Sequence, residues 1–584
     1  MESRKGYIWR NACLLLAGVL HVLGSRGPLD LEIARKLTHP DREDIVLMEW
    51  GYDREVQEIA IEIQTPLASS LALGFGHSKS INKTDFVVAG WNEHNETYFY
   101  DAHTEDEWPP VKDKSQDYVL LNLSRNDTHT IMRVWRKWFT CDRHDQEIEN
   151  DTVRVTVVIG DGEQLELTDH NTFQKSIFFL EVLCHPKYPE VMIPYDFIIK
   201  DFPIPEADTT YACTFLPMPR VTKKHHIVRY EIIEDPVSIG IVHHILIYFC
   251  ANNTILTSEV GDCYGQDTRF SQCLSATLGW AVGGEPFDYP DDTGISIGTD
   301  KDPQYVRIEI HYSNFENKEG LIDNSGIRIH YTPELRPRDS ATLMSGVFTF
   351  PMQFIPPGCE EFRNYGICDT RLMAQALNET IPDLTVKAYL LHGHLTARSI
   401  RVMHYRNGTL IGSLGEDKKY DFSFQQIRNL PAEITVKMGD VIVVECTSNT
   451  MDREGVTFGG PSSLNEMCIG FLFYYPLLPI AACWSYIDVH YIAEAIGLER
   501  ADSIMDAILN INGFEWDDES RATAQKAVMT VTHLAMAESR EAEDKSYPLV
   551  DHVSVHWLKM DFFTWLTMHL VHMLKMHLVP GGIE

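Results

Sequence analysis

Short segments with apolar residues at every second position, separated by Asn, Asp, Gly and Pro, run from about residue 44 to residue 475 of this chain. Side chains of a strand alternate between two faces, so this period suits half-buried strands rather than long helices. In the first block the segments are 56–63, 70–76, 85–90, 118–123, 129–135 and 152–159, a β-sandwich pattern. Pro186, Pro189, Pro194, Pro203 and Pro205 then predict a connector. Two further strand-rich blocks cover 210–332 and 343–475. Beyond about residue 488, apolar residues at helical spacing in 492–508 and 519–537 predict helices. The expected fold is mainly β: an N-terminal sandwich at 40–165, a linker at 166–206, two antiparallel β-sandwich domains at 207–335 and 343–490, and a partly helical tail at 491–584.

Arg4, Lys5 and Arg10 precede an apolar run over 12–23 and the small residues Gly24 and Ser25. Residues 1–25 therefore read as a secretory signal peptide, too short in its apolar part to span a bilayer comfortably. The 12 cysteines include no Cys-x-x-Cys pair, which favours disulfides over zinc in an oxidising compartment. Glycosylation sequons at Asn82, Asn95, Asn122, Asn126, Asn150, Asn252, Asn378 and Asn407 agree. The expected location is the secretory pathway, either outside the cell or in the lumen of the ER, Golgi or vesicles. A net charge of -34 argues against nucleic acid and anionic membrane surfaces as partners. In the tail, Met-His-Leu-Val occurs at 568–571 and again at 576–579, and 562–574 reads as an interfacial or docking helix.

Histidines carry the chemistry. A strand over 386–394 puts His392 and His394 on one face, and Gly393 between them lets a metal or a strand approach the backbone. Met467 follows just before the apolar run 469–475; a lone Met is ordinarily packing. His243 and His244 are adjacent in the apolar run 239–249, so pointing both at one ion requires a bulge or a strand edge. His225-His226 opens another strand and is a rival pair, although the apolar setting favours His243-His244. His311 shares a face with Arg307 and Glu309 and by default reads as a surface residue. His77, His94 and His103, in polar turn contexts, read as solvated loop residues. Imidazoles with a thioether suit copper cycling between Cu(II) and Cu(I).

These motifs resemble one family. Val242-His-His-Ile245, Ala281-Val-Gly-Gly-Glu285, Asp302-Pro-Gln-Tyr-Val306, Glu309-Ile-His-Tyr312, Gly320-Leu-Ile-Asp-Asn-Ser-Gly326, Ile355-Pro-Pro-Gly358, His392-Gly-His-Leu395 and Asn465-Glu-Met-Cys468 are similar to the type II copper, ascorbate-dependent monooxygenases. Within that family the dopamine β-hydroxylase-like orphan group is nearest. Leu73-Gly-Phe-Gly76 and Asp85-Phe-Val-Val88 resemble a DOMON domain at the N-terminus.

The resemblance implies an electron-transfer copper on His243, His244 and His311, and an oxygen-binding copper on His392, His394 and Met467, the last three being the catalytic set. It implies two coppers per chain, ascorbate as reductant, and O2 hydroxylating a C–H bond of a small, phenethylamine-like substrate. The alternative is a catalytically silent secreted protein that keeps the fold and binds copper or another ligand. Disulfides implied by the family are Cys213–Cys263, Cys250–Cys273, Cys368–Cys483 and Cys446–Cys468; Cys184 and Cys359 are additions to the family set, free to pair with each other. Cys141 is left without its family partner, because no cysteine follows Cys483. Leu390 stands where peptide-amidating members carry Arg, which disfavours peptide substrates, and Phe471 stands where hydroxylases carry Tyr. Self-association and attachment of the tail to a membrane are left open.

Overall fold

The computed structural model describes residues 29–539, apart from 40–41, 78–79, 163–164, 184–185, 251–253, 255, 266 and 274. The signal peptide, Cys184, Asn252 and the tail beyond 539 lie outside the described residues. The chain divides into two compact units, 1–181 and 182–584.

The first unit is a β-sandwich of a five-stranded and a six-stranded sheet. Strand β1 (Glu58–Pro66) alternates strictly enough to bury one face. It belongs to the five-stranded sheet, whose other strands include β5 (His129–Lys137). The six-stranded sheet contains β2 (Ser70–Gly76), β3 (Asp85–Trp91), β4 (Thr97–His103), β6 (Val153–Gly160) and β7 (Thr172–Ile177), in the order β7-β6-β2-β3-β4. Phe86, Val88 and Ala72 fill part of the core.

The second unit holds two sandwiches. In the first, β8 (Ile193–Ile198), β10 (His225–Ile233) and β14 (Gly326–Thr332) belong to one sheet. The facing sheet runs in the order β9 (Thr210–Pro217), β13 (Tyr305–Tyr312), β11 (Val242–Phe249), β12 (Ser275–Ala281). The stretch 166–206, expected as a linker, thus contains β7 and β8, each hydrogen-bonded into a sheet.

The second sandwich contains β15 (Ala341–Val347), β16 (Leu384–Gly393), β17 (Cys468–Tyr475), β18 (Ile480–Ile487) and β19 (His533–Ser539), in the order β16-β17-β15-β18-β19. Pairing is antiparallel except between β15 and β18, which run parallel. Three helices lie between β18 and β19: α1 (Val489–Ala495), α2 (Ile504–Asn512) and α3 (Asp518–Thr530). Asp488, Ser503 and Asp517 cap them by accepting backbone N–H bonds. Helical spacing was expected to continue to 537. Instead 533–539 pair with β18, so an open sheet edge overrides local propensity.

The four expected disulfides are present: Cys213–Cys263, Cys250–Cys273, Cys368–Cys483 and Cys446–Cys468. Two cysteine expectations are corrected. Cys359 is a free, buried thiol and is not bonded to Cys184, and Cys141 is disulfide-bonded. The asparagines of the sequons within the described residues are all exposed, as a glycan requires.

Candidate metal centre

Adjacent strand residues point to opposite faces unless the ladder slips. It slips between Val242 and His244: Val242 pairs with Tyr312, and His244 pairs with His311. This bulge leaves His243 without a cross-strand partner and turns it to the side of its neighbour. One nitrogen from each of His243, His244 and His311 lies within 4.8 Å of the others. The Nδ1 atoms of His243 and His244 are 3.4 Å apart. Tyr211 lies flat on His311 at 4.2 Å, and Phe422, from the second sandwich, lies on His243 at 4.1 Å. His311, expected at the surface, is completely buried, as are its strand neighbours Arg307 and Glu309.

In the second sandwich the rings of His392 and His394 stand 5.2 Å apart. Register pairs Gly393 with Cys468, which brings Met467 alongside the end of β16. A Cβ on Gly393 would lie 2.8 Å from the Ala397 side chain and 3.2 Å from the Met467 carbonyl, so glycine permits this approach. Gln425 Oε1 accepts from His392 Nδ1 at 2.7 Å, and the Gln425 backbone N–H donates to the Val282 carbonyl of the first sandwich. Gly283, at φ +82°, lets that segment pass close to Ser423 and Phe424.

Glu466 organises this corner, and reading the sequence did not single it out. Its buried carboxylate accepts from the backbone N–H groups of His394, Thr396 and Met467 and from the Thr396 hydroxyl. It thereby holds the backbone of two of the three expected ligands. Burial raises its pKa despite those bonds. The available signal was its place between Asn465 and Met467, a charge beside an apolar strand.

The two sets face each other. The rings of His244 and His392 are 5.8 Å apart, and the core of the first sandwich continues into Leu390, Met467 and Phe471. Burial drives the pKa values of His243, His311 and His394 well below the usual range, and neighbouring imidazoles add to the effect. Burial, with His244 beside it, holds His392 at about 4. The rings are therefore neutral at physiological pH and keep a lone pair. His243 Nε2, both nitrogens of His311 and His394 Nε2 are buried with no hydrogen-bond partner. Such orphans are costly unless something binds them. Neutral imidazoles with unspent nitrogens, beside a thioether, are a donor set that fits copper.

The rival pair is spent elsewhere. His226 engages Asp339 through Nε2 at 2.8 Å and accepts from the Arg336 N–H through Nδ1. His225 contacts the Lys223 carbonyl through Nδ1. His77 and His94 are exposed, as expected, but His103 is not: it is buried at the end of β4 and bound to Asp113. Its polar sequence neighbours concealed a fold-back of residues 111–113 onto the strand.

A fold of paired sandwiches with facing imidazole sets at their seam defines a class, and the sequence comparisons agree with it. The chain belongs to the copper type II, ascorbate-dependent monooxygenases: the N-terminal domain profile matches residues 195–319, the C-terminal domain profile 338–496, and a DOMON profile 42–160. The mouse DBH-like monooxygenase protein 2 is 42% identical over 83% of this chain and 79% of its own length. The human putative DBH-like monooxygenase protein 2 is 43% identical over 79% and 93%. Rat dopamine beta-hydroxylase is 31% identical over 77% and 73%.

Proposed function

We propose that this chain is a copper- and ascorbate-dependent monooxygenase hydroxylating a C–H bond of a small substrate, with His243, His244 and His311 holding one copper and His392, His394 and Met467 the other. The observation that carries this reading is the group of buried imidazole nitrogens without partners, on two facing sheets. Bound copper would take electrons from ascorbate and activate O2. The chain's residues do the rest. Gln425 and Glu466 orient the catalytic set, and aromatic faces of Tyr211 and Phe422 fix the all-His set.

Beside the catalytic set, an apolar pocket with about 10 Å³ of open space is lined by Leu246, Leu278, Leu390, Phe471 and Phe473 among others. Its two hydroxyls, of Thr277 and Thr342, donate to backbone carbonyls. The lining is apolar, which favours an aromatic or alkyl group such as the ring of a phenethylamine over a charged one, and the space as it stands is about one water in size. Leu390 offers no charge to a peptide carboxylate. We place the protein in the secretory pathway, where its disulfides persist.

The test is turnover: the chain loaded with two coppers, given ascorbate, O2 and a phenethylamine, should yield a hydroxylated product detectable by mass spectrometry. Met467→Ala should abolish product while leaving the all-His set loaded; loss of both coppers counts against the assignment. Ascorbate oxidation without any hydroxylated product supports the second reading, a silent copper-binding protein. That reading draws on Phe471, which presents no hydroxyl to the catalytic set.

A further inference from the structure

A second histidine cluster lies in the N-terminal unit, far along the sequence from the copper ligands. The rings of His103, at the end of β4, and His144, in the segment between β5 and β6, lie with centroids 3.8 Å apart and planes tilted by 33°. Nδ1 of His103 is 2.5 Å from Asp113 Oδ1, and Nδ1 of His144 is 3.2 Å from the same oxygen. A carboxylate offers only lone pairs, so each Nδ1 facing it carries the proton and each Nε2 is left with its lone pair. Arg143 supports this for His144, since its Nε–H donates to His144 Nε2 at 2.8 Å. The His103 Nε2 lies 3.5 Å from Glu105 Oε1. That is long for a hydrogen bond but near the spacing of two ligands on one tetrahedral ion with bonds of about 2.0 Å. One ligand atom from each of His103, His144 and Glu105 falls within 4.8 Å of the others.

Two further observations point to a missing cation. The second oxygen of Asp113 is buried with no partner. Behind Asp113, the carboxylates of Asp85, Asp101 and Asp145 gather within 4.8 Å, and Arg136 is the buried cation bonded to Asp85.

We propose that His103, His144 and Glu105 bind a divalent ion of the zinc–copper class, with Asp113 holding both imidazoles from behind in the carboxylate–histidine–metal arrangement. The ion ties the segment 138–150 to the end of β4. Arg143, exposed, gives way when the ion enters. Donors of two imidazoles and a carboxylate leave one position for water.

The test compares full-length chains with the copper ligands intact, so that only this site differs. Metal bound at equilibrium is counted by mass spectrometry, with Zn2+ and Cu2+ in separate arms. The native chain should hold one more equivalent than His103→Ala/His144→Ala, and the arm showing the difference names the ion. Because Glu105 is largely exposed, Glu105→Gln keeps the fold and should weaken that one equivalent at least about tenfold, the loss typical of a disturbed metal site. Zn2+ or Cu2+ should raise the melting temperature of the native chain more than that of either variant. Equal stoichiometry and affinity in native and Glu105→Gln chains overturns the proposal. So does an X-ray absorption spectrum that loses no imidazole scattering in the double variant.

Discussion

Both units gather buried titratable side chains, and the two largest gatherings differ in kind. In the N-terminal sandwich the carboxylates of Asp85, Asp101 and Asp145 come together; at the seam of the second unit imidazoles do, with Glu309 and Glu466 buried among them. Burial disfavours the charged form in both places, raising the acids and lowering the histidines. The consequences differ. A neutral imidazole keeps the lone pair a metal needs, whereas a protonated carboxyl has given part of its donor capacity to hydrogen. The copper set is ready to bind at neutral pH, while the carboxyls of Asp85, Asp101 and Asp145 would have to shed protons before they could serve as donors.

The largest expected effect tests how far the imidazole set depends on one buried acid. Glu466→Ala removes the acceptor of four donors. Buried N–H groups left without a partner cost about 1–3 kcal/mol each, and loss of a supporting partner weakens a metal site about 10- to 100-fold. Copper at His392, His394 and Met467 should fall by that factor while the all-His copper stays. Equal loss at both sets, measured by copper stoichiometry and X-ray absorption, would show instead that Glu466 supports the whole fold.

A smaller effect separates the units by the sign of their pH response. Asp101 has its pKa raised to about 8 and Asp145 to about 7, against about 3.8 unfolded. Between those values the folded state binds more protons than the unfolded one, so stability falls as pH rises from about 4 to 8. Asp85, Asp113 and Asp145 oppose the charge on Asp101, and Arg136 partly offsets them. In metal-free protein Asp101→Asn, which keeps an acceptor for the Asp117 N–H, should raise the melting temperature at pH 8. The gain should shrink by pH 5.5. A variant that melts below the native chain at pH 8, with no change on acidification, would mean the carboxylates are not in repulsion.

How much of this was legible depended on whether the signal was local. Period-two patterning located the sandwiches, and the adjacency of His243 and His244 demanded the bulge that the register shows. The default reading of His311 as a surface residue fails because Arg307 and Glu309 beside it, although charged, satisfy one another and neighbours in the interior. His103 was misread for the same reason. Glu466 acts through backbone donors from a segment about 70 residues earlier, which no spacing rule reveals. The strand at 533–539 answers to an open sheet edge rather than to its own composition.

The smallest expected effect is the one that sharpens the comparison between histidines themselves. His225-His226 and His243-His244 are both adjacent pairs in strands, and all four are buried. What separates them is where the lone pairs go. Both nitrogens of His226 are bonded, to Asp339 and the Arg336 N–H, whereas His243 Nε2 has no partner. His226→Gln should therefore leave copper stoichiometry and turnover unchanged, costing stability by about 1 kcal/mol for the altered hydrogen bonds. Loss of a copper equivalent in that variant would show that a hydrogen-bonded histidine had been displaced from Asp339 to bind metal. The partnering of each nitrogen would then no longer distinguish a ligand from a structural histidine.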